Sequence, residues 1–232
     1  MTASMNNTIV AWIYSLITLV SPPERLAALP QWPGYEESAQ QKQERYMDIA
    51  RDLYAVVYDP STPPLYQGPQ GRATTAATIL AIAWHESGFA RDVDVGPCYR
   101  GKDNKGVRCD RGRSACLMQI QLGKDGLTTK AHGVEGLSQE DLFHDRKACF
   151  RAGLKLIRRS FSACAKEGPD GRLNAYASGT CGMGFDRSKE MFDIHRRMLR
   201  NHPIPVDDKL GLLAEPSEPP ANGSVSLSDK LQ

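Results

Sequence analysis

The stretch that decides the fold is TTAATILAIAWHES, which spans residues 74–87. Its run of small and apolar residues predicts a helix with a buried face, for which Thr74 and Thr75 are the expected caps. Glu86 shares that face with Ile82, because residues four apart lie above one another on a helix. A carboxylate that closes an apolar stripe is unusual, and it makes Glu86 the first candidate for chemistry.

An amphipathic helix is predicted before this stretch, from about Glu36 to Tyr58. Apolar residues recur on one of its faces, while Lys42, Glu44 and Arg45 are expected to keep the other face in water. The prolines that follow predict a loop as far as the central stretch.

The second half of the chain holds the longest predicted helix. Ser138 and Asp141 form a capping box in which Asp replaces the usual Glu, and the helix that starts there runs to about Lys166 with a break near Asp145. Two adjacent apolar stripes on this helix predict a position at the centre of the domain. Its basic residues are expected to lie on a solvated face, and they are Arg151, Lys155, Arg158 and Arg159.

Shorter segments complete the chain. Residues 88–115 are rich in Gly, Asp and Arg and predict a long loop or small hairpin. A short helix is expected near residues 173–177, and a last helix is expected from about residue 186 to residue 200. Three parts are expected. Residues 1–71 form an N-terminal extension, which contains an apolar helix, a Pro-rich strap and an amphipathic helix. Residues 72–202 form a catalytic domain, and residues 203–232 form a disordered tail.

Composition places the chain among soluble folded proteins. Its 232 residues are 41% hydrophobic and 24% charged, and a net charge of +2 is too small to predict nucleic-acid binding. The uncharged residues 8–20 make a helix of roughly 20 Å, short of the roughly 30 Å hydrocarbon core. Because the first basic residue is Arg25, they do not resemble a cleavable signal peptide. We expect this helix to dock on the domain or to insert partly in a membrane.

Three short segments carry the functional signal. They are WHESGF at residues 84–89, SACLMQI at residues 114–120 and NAYASG at residues 174–179. Their order and spacing resemble the three signatures of lytic transglycosylases, which are Glu-Ser-Gly at a helix end, Gly-Leu-Met-Gln-Ile and Ala-Tyr-Asn-x-Gly. The resemblance covers residues 72–200 and implies a mainly α, goose-lysozyme-like α+β domain with a long central helix and a small hairpin or loop insertion.

The resemblance also implies roles for individual residues. Glu86 would be the single acid and base of the reaction. The residues implied to bind the glycan are Ser87, Met118, Gln119 and Tyr176. The chain departs from the family pattern at Cys116, where the family has Gly, and at Ala177, where it has Asn.

The implied reaction cleaves the β-1,4 bond between N-acetylmuramic acid and N-acetylglucosamine in peptidoglycan. The apolar helix face and the negative end of the helix dipole both favour a protonated Glu86 carboxyl, which is the form that a general acid needs. Glu86 would protonate the glycosidic oxygen and then accept the proton of the muramyl C6 hydroxyl, so that a 1,6-anhydro product forms. No cofactor and no metal is implied.

Two other functions stay open at this point. Asp92 and Asp94 follow Glu86 closely, and a second carboxylate that held a water would make the enzyme a hydrolytic muramidase. A non-catalytic, wall-binding structural protein on the same fold is the alternative from another class. His85 points about 100° away from Glu86 on a helix and is assigned a structural role.

All six cysteines lie in the second half of the chain, which favours disulfides and an extracytoplasmic protein over six reduced thiols. Cys149 and Cys164 share the long helix, and their separation of roughly 22 Å is too large for a disulfide. Turn positions and elimination give the predicted bridges, which are Cys164–Cys181, Cys98–Cys109 and Cys116–Cys149. The spacings match no zinc site.

The expected partner is the glycan strand of peptidoglycan, in the periplasm or the cell wall. Without a clear cleavable signal peptide, delivery by a virion or a secretion machine fits the sequence as well as a bacterial envelope enzyme does. Residues 8–20 are the candidate for any membrane contact.

Overall fold

The computed structural model describes residues 2–25, 34–96, 109 and 113–205. Within these ranges the chain is mainly helical, as predicted, with one small antiparallel sheet. The helices are α1 (Thr2–Val20), α2 (Ala39–Val57), α3 (Gly71–Ser87), α4 (Arg91–Asp94), α5 (Gln139–His144), α6 (Arg146–Ala163), α7 (Asn174–Ser178) and α8 (Phe185–Asn201). The strands are β1 (Ser114–Ala115) and β2 (Ile120–Gln121). Of the tail predicted to be disordered, residues 206–232 lie outside the described residues.

The N-terminal helix α1 packs against α2 and α3. Ile13, Leu16 and Ile17 on its inner face are fully buried. At its side, the indole Nε1 of Trp12 donates a hydrogen bond to the carbonyl oxygen of His202, over 3.1 Å. This contact joins α1 to the residue that follows α8. None of the described helices is long and apolar enough to cross a membrane.

Helix α2 begins later than predicted, at a capping box formed by Ser38 and Gln41. The expectation that Lys42 and Arg45 face water is wrong, because both side chains are buried. Lys42 donates from Nζ to two backbone carbonyls of the segment that precedes α2. Burial lowers the pKa of Lys42.

Arg45 is buried because carboxylates surround it. Its guanidinium lies 2.5 Å from the Glu37 carboxylate and 3.1 Å from the Asp94 carboxylate. Asp94 also accepts hydrogen bonds from Arg146, which in turn pairs with Asp52. This ion network fastens α2, α4 and α6 together, since each buried charge has an opposite partner.

Helix α3 lies at the centre of the molecule, and every residue from Thr75 to Ala83 is buried. It starts at Gly71 and not at the predicted Thr caps. The hydroxyls of Thr74 and Thr75 bond back to carbonyls four residues earlier, inside the helix, a competing use of such hydroxyls. Gly71 packs so closely that a Cβ there would lie 2.0 Å from the carbonyl oxygen of Tyr66.

The break predicted near Asp145 is confirmed and separates α5 from α6. The capping box of Ser138 and Asp141 starts α5, and the Asp145 carboxylate accepts a hydrogen bond from the Ala148 amide to start α6. Helix α6 buries one apolar face against the core and ends at Ala163. It is the long helix on which the hairpin of β1 and β2 rests.

Two predicted disulfides are confirmed, and the alternative of six reduced thiols is wrong. The confirmed bridges are Cys116–Cys149, with Cα atoms 6.2 Å apart, and Cys164–Cys181, with Cα atoms 5.3 Å apart. None of the cysteines within the described residues is free. The bridge from Cys98 to Cys109 stays a prediction, because Cys98 lies outside the described residues.

Candidate active site

Glu86 is the penultimate residue of α3, at the point where the buried helix reaches the surface. Gly88 ends the helix with a left-handed φ of 58°, a conformation that costs glycine little. The Glu86 side chain is 21% exposed, so it is partly shielded from water and still reachable. It faces a cavity of about 550 Å³.

Three separate segments bring one side chain each into this cavity. Glu86 comes from α3, Gln119 from the turn between β1 and β2, and Tyr176 from α7. They are members of the three segments that resemble the lytic transglycosylase signatures. The fold therefore places Glu86, Gln119 and Tyr176 around one space large enough for a ligand of sugar size.

Tyr176 acts as a link between α7 and the hairpin. Its hydroxyl donates a hydrogen bond to the carbonyl oxygen of Met118, over 2.6 Å. Burial raises the pKa of Tyr176 well above its usual value, and the negative charge of Glu86 adds to the rise. The phenol therefore stays protonated and is committed to Met118, while its ring forms a wall of the cavity.

Two residues that were predicted to bind glycan do not line the cavity. Met118 is fully buried, and a Cβ added to Gly153 on α6 would lie 2.6 Å from its Cε. Ser87 is buried too, and its hydroxyl donates to the Ala83 carbonyl and accepts from the Phe89 amide. The side chain of Met118 packs in the core, and Ser87 completes the helix end, so neither is placed to touch a sugar.

Gln119 lies in a turn of unusual backbone shape. Its φ is 46° and that of Cys116 is 58°, both in the left-handed region that side chains other than glycine rarely adopt. The side-chain amide nitrogen Nε2 of Gln119 donates to the Cys116 carbonyl, over 3.0 Å. The positive φ of Cys116 explains why the lytic transglycosylase signature has a glycine at the position of Cys116. Here the bridge from Cys116 to Cys149 on α6 holds the turn.

His85 was predicted to point about 100° away from Glu86, but its side chain contacts the Glu86 carboxylate. Its Nδ1 lies 3.3 Å from Oε1 of Glu86, and its Nε2 lies 3.1 Å from Oε2 of Glu190 on α8. The hydrogen bonds to Glu86 and Glu190 raise the pKa of His85 against the opposing effect of its burial.

Comparison with family models, with curated proteins and with solved structures gives no match.

Charges around the cavity favour an anionic or strongly polar ligand. Among the described residues that line it, Glu86 is the single carboxylate, while Arg159 of α6 and Arg187 of α8 supply two guanidiniums. Arg159 was predicted to lie on a solvated face, and it is indeed exposed, but at the cavity. The sequence offered no sign of this position, because it depends on how α6 and α8 flank α7.

Asp92 and Asp94, the candidates for a second carboxylate, do not line the cavity. Both are buried, and Asp94 is bound by Arg45 and Arg146. Within the described part of the chain, no group of three metal-ligating side chains occurs.

Proposed function

We propose that the chain cleaves the glycan strands of peptidoglycan as a lytic transglycosylase, with Glu86 as the single acid and base. The observation that carries this proposal is the convergence of Glu86, Gln119 and Tyr176 on one cavity. A partly buried carboxyl at the edge of a water-accessible cleft suits proton donation to a glycosidic oxygen. Gln119 offers the polar contacts that orient a sugar, and Tyr176 offers the wall against which it packs.

The proposed reaction needs one carboxyl that acts twice. Glu86 gives its proton to the oxygen that joins the muramyl and glucosaminyl residues, and the electron pair of the broken C1–O bond stays on that oxygen. The substrate's own 2-acetamido group stabilises C1. The Glu86 carboxylate then takes the proton of the muramyl C6 hydroxyl, whose oxygen bonds to C1 and closes the 1,6-anhydro ring.

Hydrolysis on the same site would call for a second carboxylate that holds a water. Of the two candidates from the sequence, Asp92 is buried and does not line the cavity. Asp94 is paired with two arginines in the core. Glu190 reaches the site only through His85. These contacts favour the anhydro product over a reducing end.

We further propose that the fold is lysozyme-like and that the protein acts outside the cytoplasm. A buried helix that ends in the acid, a small hairpin after it and a long helix beneath the hairpin support the first point. The two disulfides support the second, because such bonds persist in oxidising compartments.

Mass spectrometry of the products released from purified peptidoglycan tests the proposal. We expect muropeptides that end in 1,6-anhydromuramic acid, each lighter by one water than the hydrolytic product. Products with a reducing end would assign the chain to the muramidases. Binding to the wall without any released product, at protein concentrations that saturate binding, would assign it to non-catalytic wall-binding proteins.

A further inference from the structure

His85 stands between two carboxylates that belong to different helices. Its Nδ1 is 3.3 Å from Oε1 of Glu86 on α3, and its Nε2 is 3.1 Å from Oε2 of Glu190 on α8. The His85 side chain is only 18% exposed, whereas that of Glu190 is 66% exposed. An imidazole with both nitrogens facing carboxylates cannot satisfy both by donation unless it is protonated.

The charges that act on His85 are these two carboxylates, and both raise the pKa of its imidazole. Arg159 and Arg187 line the same cavity as Glu86 and so belong to its wider surroundings. Tyr176 faces Glu86 as a neutral phenol. The 3.3 Å contact between His85 and Glu86 therefore places one proton within reach of both residues.

We infer that His85 is a positioning residue: together with Glu190, it holds beside Glu86 the proton that Glu86 donates. This inference depends on the proposed function for its catalytic meaning. In the form with one proton, the imidazolium donates from Nδ1 to Glu86 and from Nε2 to Glu190. When that proton moves along the 3.3 Å contact to Oε1, Glu86 becomes the neutral acid and His85 a neutral imidazole that still donates to Glu190.

His85 and Glu86 together hold one proton in both forms, whether that proton lies on the imidazole or on the carboxyl. The two residues can therefore supply one proton to the reaction. Glu86 passes it to the leaving oxygen, and in the second half of the reaction the Glu86 carboxylate recovers one from the muramyl C6 hydroxyl. His85 can then take that proton back across the same contact. Glu190 contributes its negative charge, which favours a proton on the pair up to a higher pH.

The first test follows protons and needs no activity. NMR titration of the five histidines, with His85 assigned by loss of its signal in His85→Gln, should show an imidazole pKa above the usual value of about 6.5. That pKa should fall in Glu190→Gln and fall further in Glu86→Gln. The matched control is the exposed pair of His144 and Glu140, 3.8 Å apart, where Glu140→Gln should move the His144 signal much less.

The second test follows the rate of glycan cleavage against pH. In Glu190→Gln the fall in kcat at high pH should begin about half a pH unit or more below its position in the wild type, because the negative charge that favours the proton is gone. In His85→Gln it should begin lower still. His144→Gln should leave the profile in place. The KM should change less than kcat in each case, because His85 acts through Glu86 and does not touch the substrate.

The outcomes separate the two proposals. Suppose that the wild type is active. If the NMR pKa of His85 then changes in neither Glu190→Gln nor Glu86→Gln, or if the fall in kcat at high pH is unmoved in Glu190→Gln and His85→Gln, the inference is overturned and the proposed function stands. A wild type that cleaves no peptidoglycan while His85 responds to both carboxylates contradicts the proposed function and supports the shared proton. Circular dichroism of each variant shows that a changed profile does not come from unfolding.

Discussion

The hydroxyl of Tyr176 lies 2.6 Å from the carbonyl oxygen of Met118, to which it donates a hydrogen bond. Through this bond the short helix α7 supports the turn that carries Gln119, so one wall of the cavity stabilises another. The two segments are far apart in sequence, and this contact helps to fix their relative position at the site. The bond is therefore expected to affect both stability and turnover.

Tyr176→Phe removes the donor and leaves the Met118 carbonyl without its partner. We expect the free energy of unfolding to fall by about 1–3 kcal/mol, with a loss of kcat on peptidoglycan because the turn is less well held. Urea denaturation and steady-state kinetics measure the two effects. Tyr14→Phe on α1, which lacks a residue at the cavity, serves as the control. Unchanged stability in Tyr176→Phe would contradict the supporting role of the hydroxyl.

Glu86→Gln keeps the size of the side chain and removes its proton chemistry. Because the carboxyl serves the reaction and not the packing, we expect nearly all glycan cleavage to be lost while the thermal midpoint stays within a few degrees. Release of muropeptides and differential scanning calorimetry measure these. A variant that keeps about a tenth of wild-type turnover would require another acid, since loss of a general acid usually costs about 10²–10⁴-fold in rate.

Removal of the Cys116–Cys149 bridge should be costly in two ways. The bridge closes a loop of 33 residues, so the double substitution to Ala should lower the free energy of unfolding by about 3–4 kcal/mol. It should also lower activity, because the turn from Cys116 to Gln119 holds two positive φ angles. The matched control is the Cys164–Cys181 bridge over 17 residues, whose removal should cost about 3 kcal/mol. Equal losses of activity in both variants would argue against the special role of the turn.

His195 makes stability depend on pH. Burial lowers its pKa to about 4, with a further contribution from the charge of Arg196, and its buried Nε2 has no hydrogen-bond partner among the described residues. Below the ordinary histidine pKa of about 6.5, His195 binds a proton in the unfolded chain but stays neutral in the folded chain. The contribution of the neutral His195 to the free energy of unfolding is therefore fully present above about pH 6.5. It is lost as the pH falls from about 6.5 towards 4.

His195→Phe should remove this contribution and keep the ring packing against Tyr66 and Phe192. The free energy of unfolding of the wild type should fall between pH 7 and pH 5 by about 2 kcal/mol more than that of the variant. Urea denaturation at the two pH values measures the difference. Parallel pH dependence in wild type and variant would contradict it, and the exposed His144, replaced by Gln, provides the control.

Arg45→Met should destabilise the fold strongly, because it leaves Glu37 and Asp94 with a buried negative charge and one cation fewer. Loss of one partner from a buried ion pair costs about 3–5 kcal/mol. Arg51 lies on the same helix in an exposed pair with Asp48, so Arg51→Met should cost less than about 1 kcal/mol. Similar midpoints of urea unfolding in the two variants would refute the role assigned to the network.

The sequence predicted those parts of the fold that depend on local chemistry. The capping box of Ser138 and Asp141 and the break at Asp145 follow from nearby side chains alone. For the disulfides, helix length excluded a pair between Cys149 and Cys164, and the turn between Cys164 and Cys181 together with elimination gave the two confirmed bridges. Thr74 and Thr75 show the limit of this reasoning, because a Thr hydroxyl can bond to a carbonyl four residues earlier inside a helix instead of capping its start.

Features that depend on distant contacts could not be predicted in this way. Arg45 is buried because of Asp94, a residue that only tertiary structure brings to it. His85 meets Glu190 across 105 positions in sequence. In the segments that resemble the lytic transglycosylases, Glu86 faces the cavity while Ser87 and Met118 build the frame around it. A motif does not by itself distinguish the side chains that face a cavity from those that shape its backbone.

The contact between Trp12 and the His202 carbonyl has a consequence for synthesis. Helix α1 leaves the ribosome before α8, because the chain is synthesised from its N-terminus. Residues of α1 that contact α8 must therefore wait for their partners. The indole of Trp12 has no acceptor until His202 has been synthesised, so this contact can form only after α8 is complete. Until then α1 can pack against α2 and α3 but not against α8, so part of its apolar face stays uncovered in the growing chain.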